Sequence, residues 1–153
     1  MDLFEVLKFV HVFAAASWVG AVVVSQVHIA WVKKRDNPPD FLHFIELQAW
    51  LGQRYFMPLA ITVIVTGLIM VGIGFPDLTD AWILIGLGLF VATVALGAGY
   101  LGPQSTKIMA ALAQGGPPDA ETQARIRRVA VASNADFGLL VLVVADMVFK
   151  PGL

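Results

Sequence analysis

The sequence predicts an all-α protein: a four-transmembrane-helix bundle with a short interfacial helix in the first cytoplasmic loop. Three observations carry that prediction. Charged residues make up 14% of the chain, hydrophobic residues 58%, and the mean hydropathy is +0.79; a soluble domain carries about 25% charged residues. Uncharged apolar runs recur at lengths near the roughly 20 residues that a helix needs to cross a bilayer. Lysine and arginine gather in alternate loops, as they do in membrane proteins of fixed orientation. The 153 residues leave room for four spans and short loops in a single integral membrane domain covering 1–153.

The first span covers about 5–32 and includes 9–32, a run without formal charge that holds His11, Ser17, Trp18 and Gly20. The second covers about 55–76 and the third about 81–103. The fourth, about 127–149, is interrupted by Asp136 and Asp146. Its apolar heart at 137–145 is too short to cross alone, so it must pack against other helices. Pro76-Asp77 marks a tight turn between spans two and three. Gly115-Gly116-Pro117-Pro118 breaks the loop before span four, and Asp119 is placed to cap the helix that runs into it. In the first loop, Asn37-Pro38-Pro39 precedes Asp40 as a helix cap, then Phe41, Phe44, Ile45, Gln48 and Leu51 at helical spacing. That segment is expected in the interface, with Trp31 and Trp50 as headgroup anchors.

Of the ten basic residues, Lys33, Lys34, Arg35 and Arg54 lie between spans one and two, and Lys107, Arg125, Arg127 and Arg128 between spans three and four. Lys8 and Lys150 fall on the other side, where the turn holds Asp77 and Asp80. The positive-inside rule then places both basic loops in the cytoplasm and both termini outside, in a bacterial cytoplasmic membrane. The lipid bilayer is the one partner that composition demands. A net charge of -1 gives no footprint for nucleic acid, and the absence of cysteine excludes disulfides and thiolate metal sites. No cleavable signal peptide is expected, because Asp2 and Glu5 precede the first span instead of a basic region. Gly88, Ala92, Ala95 and Gly99 on span three, and Ala16 with Gly20 on span one, form stripes that suit close helix packing in a bundle or a homodimer.

The polar residues carry the functional question. Lys8, His11, Trp18 and Ser25 fall near one face of the first span. His11 lies about 4.5 Å deeper than Lys8 at the helical rise. Asp146, four residues before Lys150, sits at comparable depth on span four. Lys8 and Asp146 could therefore form a supporting ion pair beside His11; the alternative is that Lys8 snorkels and Asp146 pairs with Lys150 in its own helix. For His11, three roles compete: a structural hydrogen bond, a proton relay with Asp146, or axial ligation of a haem iron. Met70 and Met147 are the candidates for a second ligand. With His11 and Asp146 they also suit a copper or proton transport accessory, since thioether and imidazole match cuprous copper. His28 and His43 lie on the basic side and could share a second site. Asp136 calls for Arg54, Arg125 or Arg128 as a partner.

The string His11-x5-Ser17-Trp18-x-Gly20 resembles the first span of HemJ-type membrane proteins and their copper-resistance-D-like relatives. Met57-Pro58 with Gly67-Leu68, and the ending Met147-Val-Phe-Lys150-Pro151, resemble the second span and the close of that group. The chain as a whole looks like a family of small predicted four-helix bacterial integral membrane proteins without assigned function. The HemJ resemblance implies haem b on His11, with Trp18 packing at the pocket and Lys8 available to a propionate. It departs on span three, where those enzymes carry a lysine a few residues after a tryptophan. Here Trp82 is followed by Ile-Leu-Ile-Gly86, and late in span one Gln26 and His28 stand where a basic residue is expected. The resemblance thus implies haem binding for electron transfer or haem handling rather than that oxidase activity, and enzymatic activity is not expected. The other expectations are the copper or proton accessory, and a non-catalytic assembly subunit whose polar residues fix helix registry.

Overall fold

A computed structural model describes residues 2–35, 37–74, 77–115 and 117–152. Pro76 and Gly116, read above as turn and loop residues, lie outside the described residues. Among the described residues six α-helices form: α1 (Leu3–Arg35), α2 (Pro38–Leu51), α3 (Met57–Gly72), α4 (Ala81–Val94), α5 (Gly102–Leu112) and α6 (Ala120–Phe149). They build four continuous rods long and apolar enough to cross a membrane: Leu3–Arg35, Pro39–Gly72, Ala81–Leu112 and Ala120–Phe149. The all-helical expectation holds, and no strand occurs among the described residues.

The rods are longer than the predicted spans. α1 has 33 residues, which is about 50 Å at the helical rise. A bilayer's hydrocarbon core is about 30 Å thick, so the rods run well past it or tilt. The excess lies at the basic end. There the first-loop helix α2 does not stand apart, because it continues into span two. Span three likewise runs on to Leu112 instead of stopping near 103.

Two prolines explain the continuity. Pro58 and Pro103 sit in the first turns of α3 and α5, each directly after a π-helical stretch, Gly52–Phe56 and Ala95–Leu101. A proline inside an α-helix lacks the N–H and clashes with the carbonyl four residues back. The wider π-turn absorbs that clash and bends the helix without ending it. α2 then packs between α1 and α5, and Val32, Ile45 and Ile108 are buried at this end. Its start also differs from expectation. The helix opens at Pro38, and Asp40 falls in the first turn, ion-paired with Arg35 at 3.4 Å instead of capping. Trp31 and Trp50 remain exposed, as headgroup anchors would. At the other end of span two, the helix closes at Gly72, and Gly74 takes a left-handed φ of +95° that carries the chain away.

The rods pair as two antiparallel hairpins, α1 with α3 and α4 with α6. A central knot joins them, in addition to the packing of α2 on α5 at the basic end. Trp18, Ala60 and Leu140 are buried together, with Phe56, Leu59 and Phe90 against them. Trp18 meets Phe90 edge-on at 5.9 Å and Phe56 at 6.5 Å. Most other apolar side chains face outward, among them Phe9, Phe13, Val24, Leu142 and Phe149. The accessible surface is 9425 Å², where a compact soluble protein of this mass shows about 7,500 Å². That outward apolar surface is what a lipid-embedded protein presents. The small-residue stripe of Gly88, Ala92, Ala95 and Gly99 also faces outward, so it does not pack this bundle.

Polar contacts tie the basic end. Gln48 donates to Ser25 at 3.0 Å, Gln26 to Ser133 at 3.3 Å, and Arg125 to Gln104 at 2.6 Å and Glu121 at 2.8 Å. Asp119 caps α6 as expected, accepting from the Thr122 N–H at 2.7 Å. That bond holds the Asp119 carboxyl below the usual carboxylate range.

Two predictions follow from this packing. Trp18→Ala removes the knot between hairpins and should lower stability by about 3 kcal/mol; Trp31→Ala, on the exposed face, should stay within about 0.5 kcal/mol. Thermal unfolding in detergent compares them. For the cap, the lowered carboxyl means its support is present above the ordinary aspartate range and is lost as pH falls through the lowered value. Protection of the amides at 120–123 relative to their intrinsic exchange rates should therefore fall on acidification, and be reduced already near neutral pH in Asp119→Ala.

Candidate functional site

The end of the bundle that carries both termini gathers the polar residues singled out in the sequence. His11 is half-buried on α1 and faces α3. Its Nδ1 lies 3.0 Å from Thr66 Oγ1, and that oxygen lies 2.6 Å from the Thr62 carbonyl and 3.2 Å from Val63's. The hydroxyl has one proton, and its closest acceptor is the Thr62 carbonyl. With the proton on Nδ1 the ring donates to Thr66 Oγ1 and Nε2 is the bare nitrogen, and the Val63 carbonyl is a further acceptor for the ring. Gly67 completes the seat, because a Cβ there would stand 3.3 Å from His11 Cε1. The ring thus lies against the α3 backbone, oriented by a buried threonine.

On the opposite hairpin, Asp146 and Met147 press on Gly86 of α4. A Cβ at Gly86 would stand 2.8 Å from Asp146 Oδ2 and would collide with Met147 Cε. Asp146 and Trp82 are each only 7% exposed, and neither carboxylate oxygen nor the indole Nε1 has a hydrogen-bond partner. Lys150 ends α6 in a left-handed conformation, φ 45°, and its N–H returns to the Asp146 carbonyl at 2.8 Å. Its Nζ lies 5.1 Å from the centre of the Trp82 ring. A cation over an indole face clamps the end of α6 to the start of α4.

The expected residues are therefore divided. The Lys8–Asp146 pair does not form: Lys8 is exposed, and Asp146 turns to Gly86 with its oxygens unpaired. The alternative pairing of Asp146 with Lys150 does not form either, since Lys150 goes to Trp82. Trp18 belongs to the central knot, about two turns inward of His11. Met70 is buried on α3, one turn beyond Thr66, whereas Met147 is on the other hairpin against Gly86. His28 packs on Phe44 at 5.2 Å, while His43 is exposed beside Glu46, so the two share no site. Asp136 also lacks its expected arginine. Its Oδ1 is buried and unpaired, while Arg125 is taken by Gln104 and Glu121. No group of three or more His, Asp or Glu side chains suited to a metal ion occurs among the described residues.

Sequence reading missed Thr66, and it named Gly67 and Gly86 only within the resemblance, without the contacts they make. A signal existed for the first two. Thr66-Gly67 is a hydroxyl next to a gap in span two, six residues from that helix's end, as His11 is eight from the start of α1.

Haem can be tested against this geometry. The imidazole fits an axial ligand, because Nδ1 is held by a hydrogen bond and Nε2 is free, the arrangement that orients metal-bound histidines. The bundle centre does not fit the macrocycle. Its cavity of about 40 Å³ lies among Ala15, Trp18, Phe90, Thr93 and Leu140, inward of His11, and is far below the roughly 300–1,000 Å³ of ligand pockets. A larger open groove of about 470 Å³ runs beside Leu96, Tyr100, Arg127 and Arg128 at the basic end, away from His11. A porphyrin on His11 would thus sit on the ring's open side and not among the four helices.

With fold and site in place, the class is an integral membrane protein. The chain belongs to the DUF2269 family of predicted integral membrane proteins, whose model matches residues 5–151. No curated protein and no solved structure matches it.

Gly86 gives the sharpest local test. Gly86→Val should displace Asp146 and Met147 and separate α4 from α6, lowering stability by about 2 kcal/mol or more. Gly88→Val, where nothing stands within 4 Å of the added carbon, should be tolerated. Thermal unfolding of the two variants side by side measures the difference.

Proposed function

We propose that this protein binds b-type haem through His11 Nε2, in the outer half of a bacterial cytoplasmic membrane, for electron transfer or haem handling. The single observation behind it is the His11–Thr66–Thr62 chain, in which a proton on Nδ1 leaves Nε2 basic. The reading also draws on the resemblance of His11-x5-Ser17-Trp18-x-Gly20 to HemJ-type first spans. When bound, the haem supplies a one-electron iron couple. The chain's own part is to orient the imidazole on Gly67, to hold Nδ1–H on Thr66, and to present Lys8 one turn outward for a propionate. Both termini lie outside and the basic loops inside by the distribution of lysine and arginine.

Oxidase chemistry of the HemJ kind is not part of the proposal. α4 carries no ionisable side chain, and the space at Gly86, near where those enzymes carry lysine, is filled by Asp146 and Met147.

Oxidised and dithionite-reduced visible spectra of the detergent-purified protein test the proposal. A Soret band with sharp reduced α and β bands, lost in His11→Ala, is the expected result. Thr66→Val should keep the bands but raise the midpoint potential, since an imidazole without its acceptor donates less to ferric iron. A colourless protein after expression with ample haem overturns the proposal. Copper without porphyrin would then favour the transport accessory, and a co-purifying membrane partner the assembly subunit.

A further inference from the structure

Among the described residues, every buried side-chain N or O without a hydrogen bond lies on α4 or α6: Trp82, Thr93, Asp136 and Asp146. Asp146 is the most exposed to consequence. It is nine-tenths buried, both of its oxygens are unpaired, and a second unpaired polar group, Trp82 Nε1, is buried one turn from the glycine it rests on. Among the described residues no cation pairs with it. α4 and α3 carry no charged side chain. On α1, Lys8 is exposed and His11 is bonded to Thr66. On α6 itself, Lys150 goes to Trp82, and Asp136 lies about 15 Å inward at the helical rise. An ionised carboxylate so placed would lack every form of compensation that buried charges need. A carboxylic acid in the same seat is neutral.

We propose that the Gly86–Asp146 contact, one turn from Trp82, is a proton-binding site: Asp146 carries a proton there and exchanges it with water at the end of the bundle that holds the termini. The step is the loss or gain of one proton on a carboxylate oxygen, with water as the other partner. α6 ends three residues after Asp146, at Phe149, so the way out is short. Inward, the small central cavity at the level of Thr93, about 10 Å deeper than Gly86, exposes apolar surface only, and a water there would lack the two or more partners it needs. The site therefore opens toward the terminal end. It stands apart from the haem reading, being on the other hairpin.

Infrared spectroscopy of the full-length protein in lipid bilayers tests it, with Asp146→Asn as the near-isosteric control. At neutral pH a protonated-carboxyl C=O band is expected. It should shift down in D2O, vanish in Asp146→Asn, persist in Asp136→Asn and His11→Ala, and fade as pH is raised. Gly86→Ala, which crowds Oδ2, should move the band even if Asp146→Asn folds poorly. Absence of the band in the unmodified protein would overturn the proposal. So would a band that never shifts in D2O, one that survives Asp146→Asn, or one that sodium removes at constant pH, which would make the site a metal-cation site.

Discussion

The contact between Trp18 and the aromatic pair Phe56 and Phe90 is the one on which the four-rod arrangement depends. Each hairpin is held along its length, α1 on α3 and α4 on α6; between hairpins, α2 packs on α5 at the basic end, and away from there the knot is the main contact. In lipid no hydrophobic drive pulls apolar helices together, so close packing and polar bonds must do so. A buried indole meeting one ring edge-on and another tilted supplies both area and directional preference, each aromatic pair adding about 0.5–1.5 kcal/mol beyond its area. The basic end adds Gln26 to Ser133 as a bond between the hairpins. The opposite end has no such bond in the described residues, and there the two candidate groups, His11 and Asp146, sit on separate hairpins.

That separation gives the two hairpins different chemistry. On α1 and α3 the polar groups near the terminal end are satisfied in sequence, imidazole to hydroxyl to carbonyl. On α4 and α6 they are buried and left unpaired. Backbone groups in a membrane must be satisfied within the helix, but side chains face no such obligation when their loss is balanced elsewhere. The Lys150 clamp on Trp82 and the glycine seat at Gly86 hold the unpaired carboxyl in place.

Much of the fold was legible because membrane solvation writes it directly into composition and charge spacing. Four spans, the Asp119 cap and an all-helical chain follow from hydropathy and cap chemistry alone. The rod lengths did not, and the reason is local. Proline reads as a stop, yet Pro58 and Pro103 follow π-turns that remove the clash, and nothing in residue type announces a π-turn. The site was legible in its centre and not in its partners. His11 stands out as an ionisable group at depth, but its partner depends on helix rotation, which sequence spacing constrains only within one helix. Lys8 and Asp146 matched in depth and still failed to meet, since Asp146 is turned by its own helix toward α4.

Glycine settles which groups can approach. Gly67 and Gly86 are the two positions where an added Cβ would meet a polar side chain from the facing helix, His11 in one hairpin and Asp146 in the other. In both, a missing side chain on one helix is filled by an ionisable one from its partner. A structural role alone would be met by any small apolar contact, as Ala14 or Ala60 provide elsewhere in the bundle. Spending two such gaps on an imidazole and a carboxyl, at similar depth near the same end, leaves each group held by backbone on one side and open to little else. An imidazole so held keeps one nitrogen free, and a carboxyl so held has no paired cation among the described residues.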